Sequence, residues 1–454
     1  MKVAVLVAEI GSTTTVVNAF DGIGGPCPSF IGQGQSYTSV LEGDVTVGLR
    51  GAVEDLKSNL GIEDLSWDEM LATSSAAGGL RMSVHGLVYD MTVRAAKEAA
   101  LGAGGILKHV TAGKMRRTDL KKISEIKPNI ILVAGGVDYG ERDTALHNFE
   151  LVAELGLEIP VIYAGNVENQ EEVKEIAEEK GIRLYVVENV YPRVDQLNVE
   201  PTRAVIQQVF EEHIIHAPGM TTVRDMIDGP ILPTPGAVME AAKVLKEAIG
   251  DLVIFDVGGA TTDVHSVTEG SEEISRLLVS PEPEAKRTVE GDLGVYVNMR
   301  HIVETMGRDE LIKDFPDLDE LLESAKAIPD TDRAKVFVER LAQEAMLTAM
   351  ERHAGRLRQL YGASGKRTIA EGKDLTAVKY VIGTGGALTR LPQHRKILST
   401  ATTHGKGLEL FPKSDAKILV DNDYIMASLG VLSKRYPEDA LKLMLSSLHW
   451  DEKD

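Results

Sequence analysis

Two stretches far apart in the chain share one layout, and no other feature constrains the fold as much. Residues 1–20, "MKVAVLVAEIGSTTTVVNAF", run an apolar strand into Glu9, pass Gly11 and a hydroxyl-rich turn, and re-enter an apolar strand. Residues 251–267, "DLVIFDVGGATTDVHSV", repeat this: a strand into Asp256, then Gly258 and Gly259, a turn at Ala260-Thr261-Thr262, and a second strand after Asp263. Either stretch alone is compatible with an ordinary Gly/Thr hairpin turn. Two of them, with an acid in the matching place, predict a duplicated element.

The chemistry suited to such turns is phosphate binding. Glycine lets the backbone approach phosphoryl oxygens, and turn N–H groups and hydroxyls donate to them. Gly11, Ser12, Thr13 and Thr14 on one side, and Gly258, Gly259, Ala260 and Thr261 on the other, would clamp a triphosphate between two domains. The acids would repel bare phosphate, so Glu9 and Asp256 are expected to hold Mg²⁺, directly or through its waters. A third stretch, "VKYVIGTGGALTRL", ends a strand in Gly383-Thr384-Gly385-Gly386, a turn on which an adenosine can lie flat. Taken alone, it also reads as a structural turn.

Composition narrows the partners. Asp and Glu total 69 against 49 Lys and Arg, and a net charge of -20 argues against duplex nucleic acid or an anionic membrane surface. One cysteine, Cys27, excludes an intrachain disulfide and a cysteine-held cluster or zinc site within one chain, which fits a reducing cytoplasm. The opening apolar run is too short for a signal-peptide core, and no apolar stretch approaches the roughly 18 residues of a membrane span. The expected setting is therefore cytoplasmic, away from membranes, with self-association left open.

Strand-like runs alternate with helical patterns such as "NQEEVKEIAEEKG" and "GAVMEAAKVLKEAIG", each closed by glycine. This predicts an α/β protein with mixed sheets. The expected division is residues 1–240 and 241–454. A parallel α/β subdomain is inserted at about 125–190, where "IILVAGG" and "IPVIYAG" read as buried strands, and a helical layer lies at about 307–354.

The order of "EIGSTTT", "ILPTPGAVMEA", "DVGGATTDV", "GTGGAL" and "DYIMASLGVL" resembles the two phosphate, two connecting and one adenosine segments of the actin/sugar kinase/heat-shock chaperone ATPase superfamily. Within that superfamily, "SSAAGGLRMSVHGLV", "ILVAGGVDYGERDTALHNFELV", "PVIYAGN" and "RTVEGDLGV" are similar to the MutL (GlmL) family, accessory proteins of adenosylcobalamin-dependent carbon-skeleton mutases and aminomutases. The resemblance implies two actin-like (ribonuclease H-like) domains with the nucleotide cleft between them, and ATP with Mg²⁺ as cofactors. It also implies Asp256 and Asp263 as catalytic acids, and a weak or partner-stimulated ATPase that reactivates a mutase such as glutamate mutase by driving exchange of damaged cobalamin. Two departures bear on rate. Glu9 stands where aspartate is usual, and Thr234 precedes Pro235 where chaperone-type members place an acid that positions the attacking water.

Other motifs carry less. "GASGKRT" at 362–368 is two residues short of a P-loop and reads as a basic surface loop. His213 and His216 lack a third ligand and read as a helix end. "DVHSVT" lacks the glycine of the corrinoid-binding D-x-H-x-x-G pattern, with Thr268 in its place, so the chain is not expected to carry cobalamin itself. The competing functions are a small-molecule kinase on the same fold, an ATP-driven electron donor to dehydratases, which the lone cysteine disfavours, and a nucleotide-holding protein without turnover.

Overall fold

The computed structural model describes residues 1–11, 14–39, 44–75, 80–214, 223–362, 365–405 and 407–451. Its first sheet orders the strands Ser29–Tyr37, Thr14–Asp21, Lys2–Ile10, Ser66–Ser74 and Ile231–Pro233. The first three are antiparallel, and the last two continue parallel to Lys2–Ile10. The second sheet repeats this with Ala285–Glu290, Thr262–Val267, Leu252–Val257, Tyr380–Thr384 and Lys417–Val420. Strand order 3-2-1-4-5 with the same directions, found twice, is the duplication that the paired turns predict and the pair of actin-like domains that the resemblance implies. Each turn joins the first two strands of its repeat.

Period-two alternation assigns the faces. In Lys2–Ile10, Leu6, Ala8 and Ile10 enter the core shared with helix Val45–Leu60, while Val5 and Val7 join the core that holds Ala241 and Leu245 of helix Thr234–Ile249. The first of these helices starts on Asp44, whose side chain accepts from Thr46 N, and stops at Gly61 in the left-handed region. The core around helix Thr234–Ile249 also takes Ile254 and Ile382 of the second sheet and Leu429 of helix Met426–Leu432, so it ties the two repeats together.

A third sheet interrupts the first repeat between Ser66–Ser74 and Ile231–Pro233. Its five strands are all parallel, in the order Gly105–Ala112, Leu80–Gly86, Ile130–Val133, Val161–Tyr163, Leu184–Val186. This is the doubly wound order 2-1-3-4-5. Two of its strands lie before residue 125, outside the expected 125–190. Their sequences, "LRMSVHG" and "GILKHVTA", interleave polar residues and do not read as a buried parallel run. His85 is satisfied inside: its Nδ1 lies 2.8 Å from Thr111 Oγ1 and its Nε2 lies 3.1 Å from Ser83 Oγ.

In the second repeat, helices Arg308–Asp314, Leu318–Glu323 and Asp332–His353 share a core with one face of the second sheet. "GASGKRT" is not a simple surface loop: residues from Gly365 onward form a strand that pairs with Arg356–Gly362 as a two-stranded hairpin, with Lys366 and Arg367 exposed. Among the described residues no helix is long and apolar enough to cross a membrane.

Candidate functional site

The two repeats face each other across a cleft of about 690 Å³, within the range of small-ligand sites. Both glycine turns line it although their glycines are far apart in sequence: Gly11 and Thr14 from the first, Gly258, Gly259, Ala260 and Thr261 from the second. Each turn is closed by the same bond, Gly11 N to Thr14 O and Gly258 N to Thr261 O, both 2.9 Å. A side chain on Gly11 would bring its Cβ within 2.6 Å of Thr14 O. Ser12 and Thr13 lie outside the described residues, as does His216, and the side chain of His213 is likewise not described.

The second turn is braced from behind. The carbonyl of Gly258 accepts from Val295 N at 3.2 Å, that of Gly259 from Tyr296 N and Val297 N at 2.9 and 2.8 Å, and that of Ala260 from Asn298 Nδ2 at 3.1 Å. Committing the carbonyls to this brace holds the loop in one conformation at the cleft wall. Gly294 permits the close approach, since a Cβ there would sit 2.3 Å from the Ala260 carbonyl carbon.

The third turn differs in detail from its sequence reading. Gly386 lines the cleft. Gly385, at φ +80, brings the backbone so close to the second repeat's first strand that a Cβ would meet Asp256 Oδ1 at 2.3 Å. Thr384 points elsewhere, donating to buried Asp421 Oδ2 at 2.9 Å, and Gly383 makes room for Leu398. The Asp421 carboxylate also accepts from Met426 N and Ile425 N, so it joins the glycine turn to the start of helix Met426–Leu432.

The acids divide into two kinds. Asp263 is 4% exposed and fully engaged: Oδ1 accepts from Arg287 Nε at 2.8 Å and from Nη2, and Oδ2 accepts from Thr261 Oγ1 at 3.0 Å. Arg287 extends from the strand Ala285–Glu290 into the inserted domain, donating from Nη1 to Leu101 O at 2.9 Å and Gly105 O at 3.2 Å. Glu9 and Asp256 are the strained pair. Burial pushes Asp256 up to about 7, assisted by the charges of Asp263 and Glu9 and opposed by Arg287. Burial also pushes Glu9 up to about 7, opposed by the bonds that its Oε1 accepts from Ser428 N and Oγ and from Asn18 Nδ2. Ser428 belongs to helix Met426–Leu432, so Glu9 also fastens one repeat to the other.

Two carboxyls on one cleft wall, held partly protonated by burial and by neighbouring carboxylates (Asp421 for Glu9, Asp263 and Glu9 for Asp256), suit a cation, which would favour their ionised forms. No group of three His, Cys, Asp or Glu side chains among the described residues is arranged to hold a metal. Glu9 and Asp256 are carboxylates that the cleft could offer to a Mg²⁺, an ion commonly held by one or two carboxylates with water and phosphate oxygens completing the shell. The cations on the cleft wall are Arg287, Lys335 and Arg390. Arg390 donates to Gln33 Oε1 at 2.7 Å and lies 5.8 Å from the ring centroid of Tyr424, which adopts φ +55 beside Asp423. Thr234 also lines the cleft, its hydroxyl donating to Thr73 Oγ1 at 3.1 Å.

Sequence reasoning missed Arg287, Ser428, Arg390 and Tyr424. Arg287 opens the "RTVEGDLGV" stretch and was findable as a cation inside an otherwise half-buried strand. The other three lie within the quoted stretches "DYIMASLGVL" and "VKYVIGTGGALTRL", but their individual roles were not readable there because they arise from contacts between the repeats.

Comparison with known proteins identifies the family. The family model described as MutL protein matches residues 5–448. Protein MutL of Clostridium tetanomorphum is 37% identical over 461 residues, covering 97% of this chain and 98% of its own length. Among solved structures, a diol dehydratase-reactivating factor in nucleotide-free form is similar at TM-score 0.36 and 11% identity, over 96% of this chain and 100% of its own. The ethanolamine utilization protein EutJ of Carboxydothermus hydrogenoformans is similar at TM-score 0.30 and 10% identity, over 94% and 88%. The whole-length family match, together with the identity to a full-length relative, places the chain in the MutL protein family.

Proposed function

We propose that the cleft binds Mg²⁺-ATP and that its closure and opening drive an accessory role toward an adenosylcobalamin-dependent mutase or aminomutase. The observation that carries the nucleotide reading is the convergence of two identically closed glycine turns on one cleft that also holds Glu9 and Asp256. The amides and hydroxyls of the turns would receive phosphate oxygens, with Ser12 and Thr13 completing the first. Asp256 and Glu9 would hold Mg²⁺, directly or through water, and the bound ion would neutralise phosphate charge. Asp263, tied down by Arg287, keeps the second turn in shape. Gly385 and Gly386 offer backbone against the nucleoside.

Thr234 cannot accept a proton as a carboxylate can, so slow unassisted turnover is expected, with stimulation by the partner enzyme. The mutase role rests on family membership. Radical enzymes of this class fail when the cofactor loses its adenosyl group and the damaged corrinoid stays bound. A two-domain clamp whose states differ in affinity for the enzyme can bias it toward opening. The test inactivates a candidate mutase from the same cell and supplies this protein, Mg²⁺-ATP and fresh adenosylcobalamin. Recovery should require both protein and ATP and should vanish with Asp256→Ala. No recovery with any such mutase, together with efficient phosphorylation of a small alcohol or acid, would establish the kinase reading instead.

A further inference from the structure

The edge strand of the first repeat, Ser29–Tyr37, sorts its side chains by size. In "GQGQSY" the small residues Gly32, Gly34 and Ser36 alternate with Gln33, Gln35 and Tyr37. The small set faces helix Val45–Leu60. A Cβ on Gly34 would sit 2.2 Å from Ala52 O, one on Gly32 would sit 3.0 Å from Leu60, and Ser36 Oγ would lie 2.6 Å from a Cβ on Gly51. The same helix holds the strand's free edge: Asp55 Oδ2 accepts from Gln35 N at 2.8 Å, and Asn59 Nδ2 donates to Gln33 O at 3.0 Å. The strand is seated firmly, with its longer side chains turned the other way.

Those longer side chains meet the second repeat. Gln35 lines the cleft. Bonding to Asp330 holds the Lys326 ammonium above its ordinary value and the Tyr37 phenol adds to this, which sets the end of the strand beside a segment whose Ala327, Ile328 and Pro329 line the opposite wall. Gln33 makes the direct bonds. Its Oε1 accepts from Arg390 Nη2 at 2.7 Å, and its Nε2 donates to Tyr424 O at 3.2 Å and back to its cross-strand neighbour Asn18, at Oδ1, at 2.8 Å. The orientation of this amide is dictated, because a guanidinium has only donors and so takes the oxygen. Asn18, fully buried, then donates to Ser428 Oγ at 2.8 Å and to Glu9 Oε1 at 3.3 Å. Gln33 is not among the described residues that line the cleft, whereas both of its second-repeat partners are. Arg390 is exposed, so water can take over its bond with Gln33 once that bond breaks.

We infer that Gln33 and Arg390 form a latch between the repeats that sets how fast the cleft takes up and releases nucleotide. The latch rests on the proposed reading of the cleft. A ligand enclosed between two domains exchanges when they separate, and moving this strand away from Arg390 and Tyr424 breaks the bonds of Gln33. Because Gln33 touches the opposite repeat and not the ligand, the latch holds an empty cleft and an occupied one alike. Its loss therefore speeds entry and exit together and leaves affinity nearly unchanged. A residue that only shapes the ligand's contacts changes affinity, and does so mostly through exit.

The test follows a methylanthraniloyl-labelled ATP with Mg²⁺ by stopped flow on the full chain. In Gln33→Leu, association and release should each quicken about tenfold, the scale of one hydrogen bond to a charged group, with the dissociation constant within about twofold of wild type. Gln33→Cys combined with Arg390→Cys, in a Cys27→Ser background, allows a short bismaleimide to join the two positions. Both rates should then slow at least tenfold relative to the same protein unlinked. Unchanged rates in Gln33→Leu, a change confined to release, or unaltered exchange after linking would overturn the latch. If wild type binds no Mg²⁺-ATP, the reading of the cleft fails and the latch is measured without ligand, from spin labels on Tyr37→Cys and Lys326→Cys in the Cys27→Ser background. Their distance distribution should be narrow and should broaden when Gln33→Leu is added. Identical distributions would overturn the latch by itself.

Discussion

Replacing Arg287 by methionine tests whether the cleft and the inserted domain are fastened by one side chain. Arg287 is 1% exposed and serves three acceptors, the Asp263 carboxylate and the carbonyls of Leu101 and Gly105. Arg287→Met leaves Asp263 buried without its counter-charge and both carbonyls without this donor. Removing one partner of a buried ion pair costs about 3–5 kcal/mol. With an unfolding entropy of about 2.1 cal/mol/K per residue over 454 residues, that corresponds to a melting shift of about 3–5 °C. Asp263→Asn should be milder, about 1–3 kcal/mol, because the guanidinium keeps its two carbonyls and an amide oxygen can still accept from Nε. The double variant should lose less than the sum of the singles, with coupling of about 0.5–3 kcal/mol. Calorimetry gives the melting shifts, and hydrogen exchange reports whether residues 94–112 lose protection first. A shift below about 1 °C for Arg287→Met, or simple additivity in the double variant, would refute the fastening role.

Gly385→Ala places a Cβ 2.3 Å from Asp256 Oδ1 at φ +80, so it should cost about 1–3 kcal/mol of stability and at least a tenfold loss of Mg²⁺-ATP affinity. Gly386→Ala, whose Cβ meets nothing within 4 Å, should leave stability unchanged, as thermal melts will show. Ser428→Ala removes the hydroxyl donor to buried Glu9 while the backbone N–H of residue 428 remains, and should destabilise by about 1–3 kcal/mol, read by urea titration. Glu9 and Asp256 retain protons up to about 7 when folded but lose them near their ordinary values when unfolded. Between about pH 4.5 and 7 the folded state thus binds more protons, and these groups' contribution to stability falls as pH rises. A cation that favours both carboxylates should release protons on binding near pH 7 and bind more tightly as pH rises to that point. Calorimetry in buffers of different ionisation enthalpy measures the release.

The duplicated frame was legible because a strand–acid–glycine–turn–strand pattern is local: "VAVLVAEIG" and "LVIFDVGG" each encode their strand and stop within ten residues. The inserted sheet was legible only where its strands are uniformly apolar. "IILV" and "VIY" announce themselves, whereas Leu80–Gly86 conceals His85 behind bonds to Thr111 and Ser83, a solution that no local pattern displays. The cleft's glycines were readable from the same local logic. Arg287, Ser428 and Arg390 were not, since each acts across an interface between segments more than a hundred residues apart: Arg287 to Leu101, Ser428 to Glu9, Arg390 to Gln33.

The two repeats have matching topology but different uses for their acids. In the second repeat Asp256 faces the cleft beside Gly385 and is free to meet a cation, while Asp263 is anchored by Arg287. In the first repeat Glu9 sits at the position equivalent to Asp256, one methylene longer, and its Oε1 reaches Ser428 of the opposite half. The longer side chain therefore serves two demands at once. One carboxylate oxygen closes the joint between the repeats, and the cation reading requires the group as a whole to bear charge. If the proposed ligand drew the carboxylate toward itself it would compete with the Ser428 bonds, which would link cleft occupancy to the joint between the repeats. The inserted domain is attached at the other joint, through Arg287, to Asp263, which accepts from Thr261 of the second turn. A nucleotide bound between the turns as proposed would therefore meet both joints, and the parallel sheet rests on one of them.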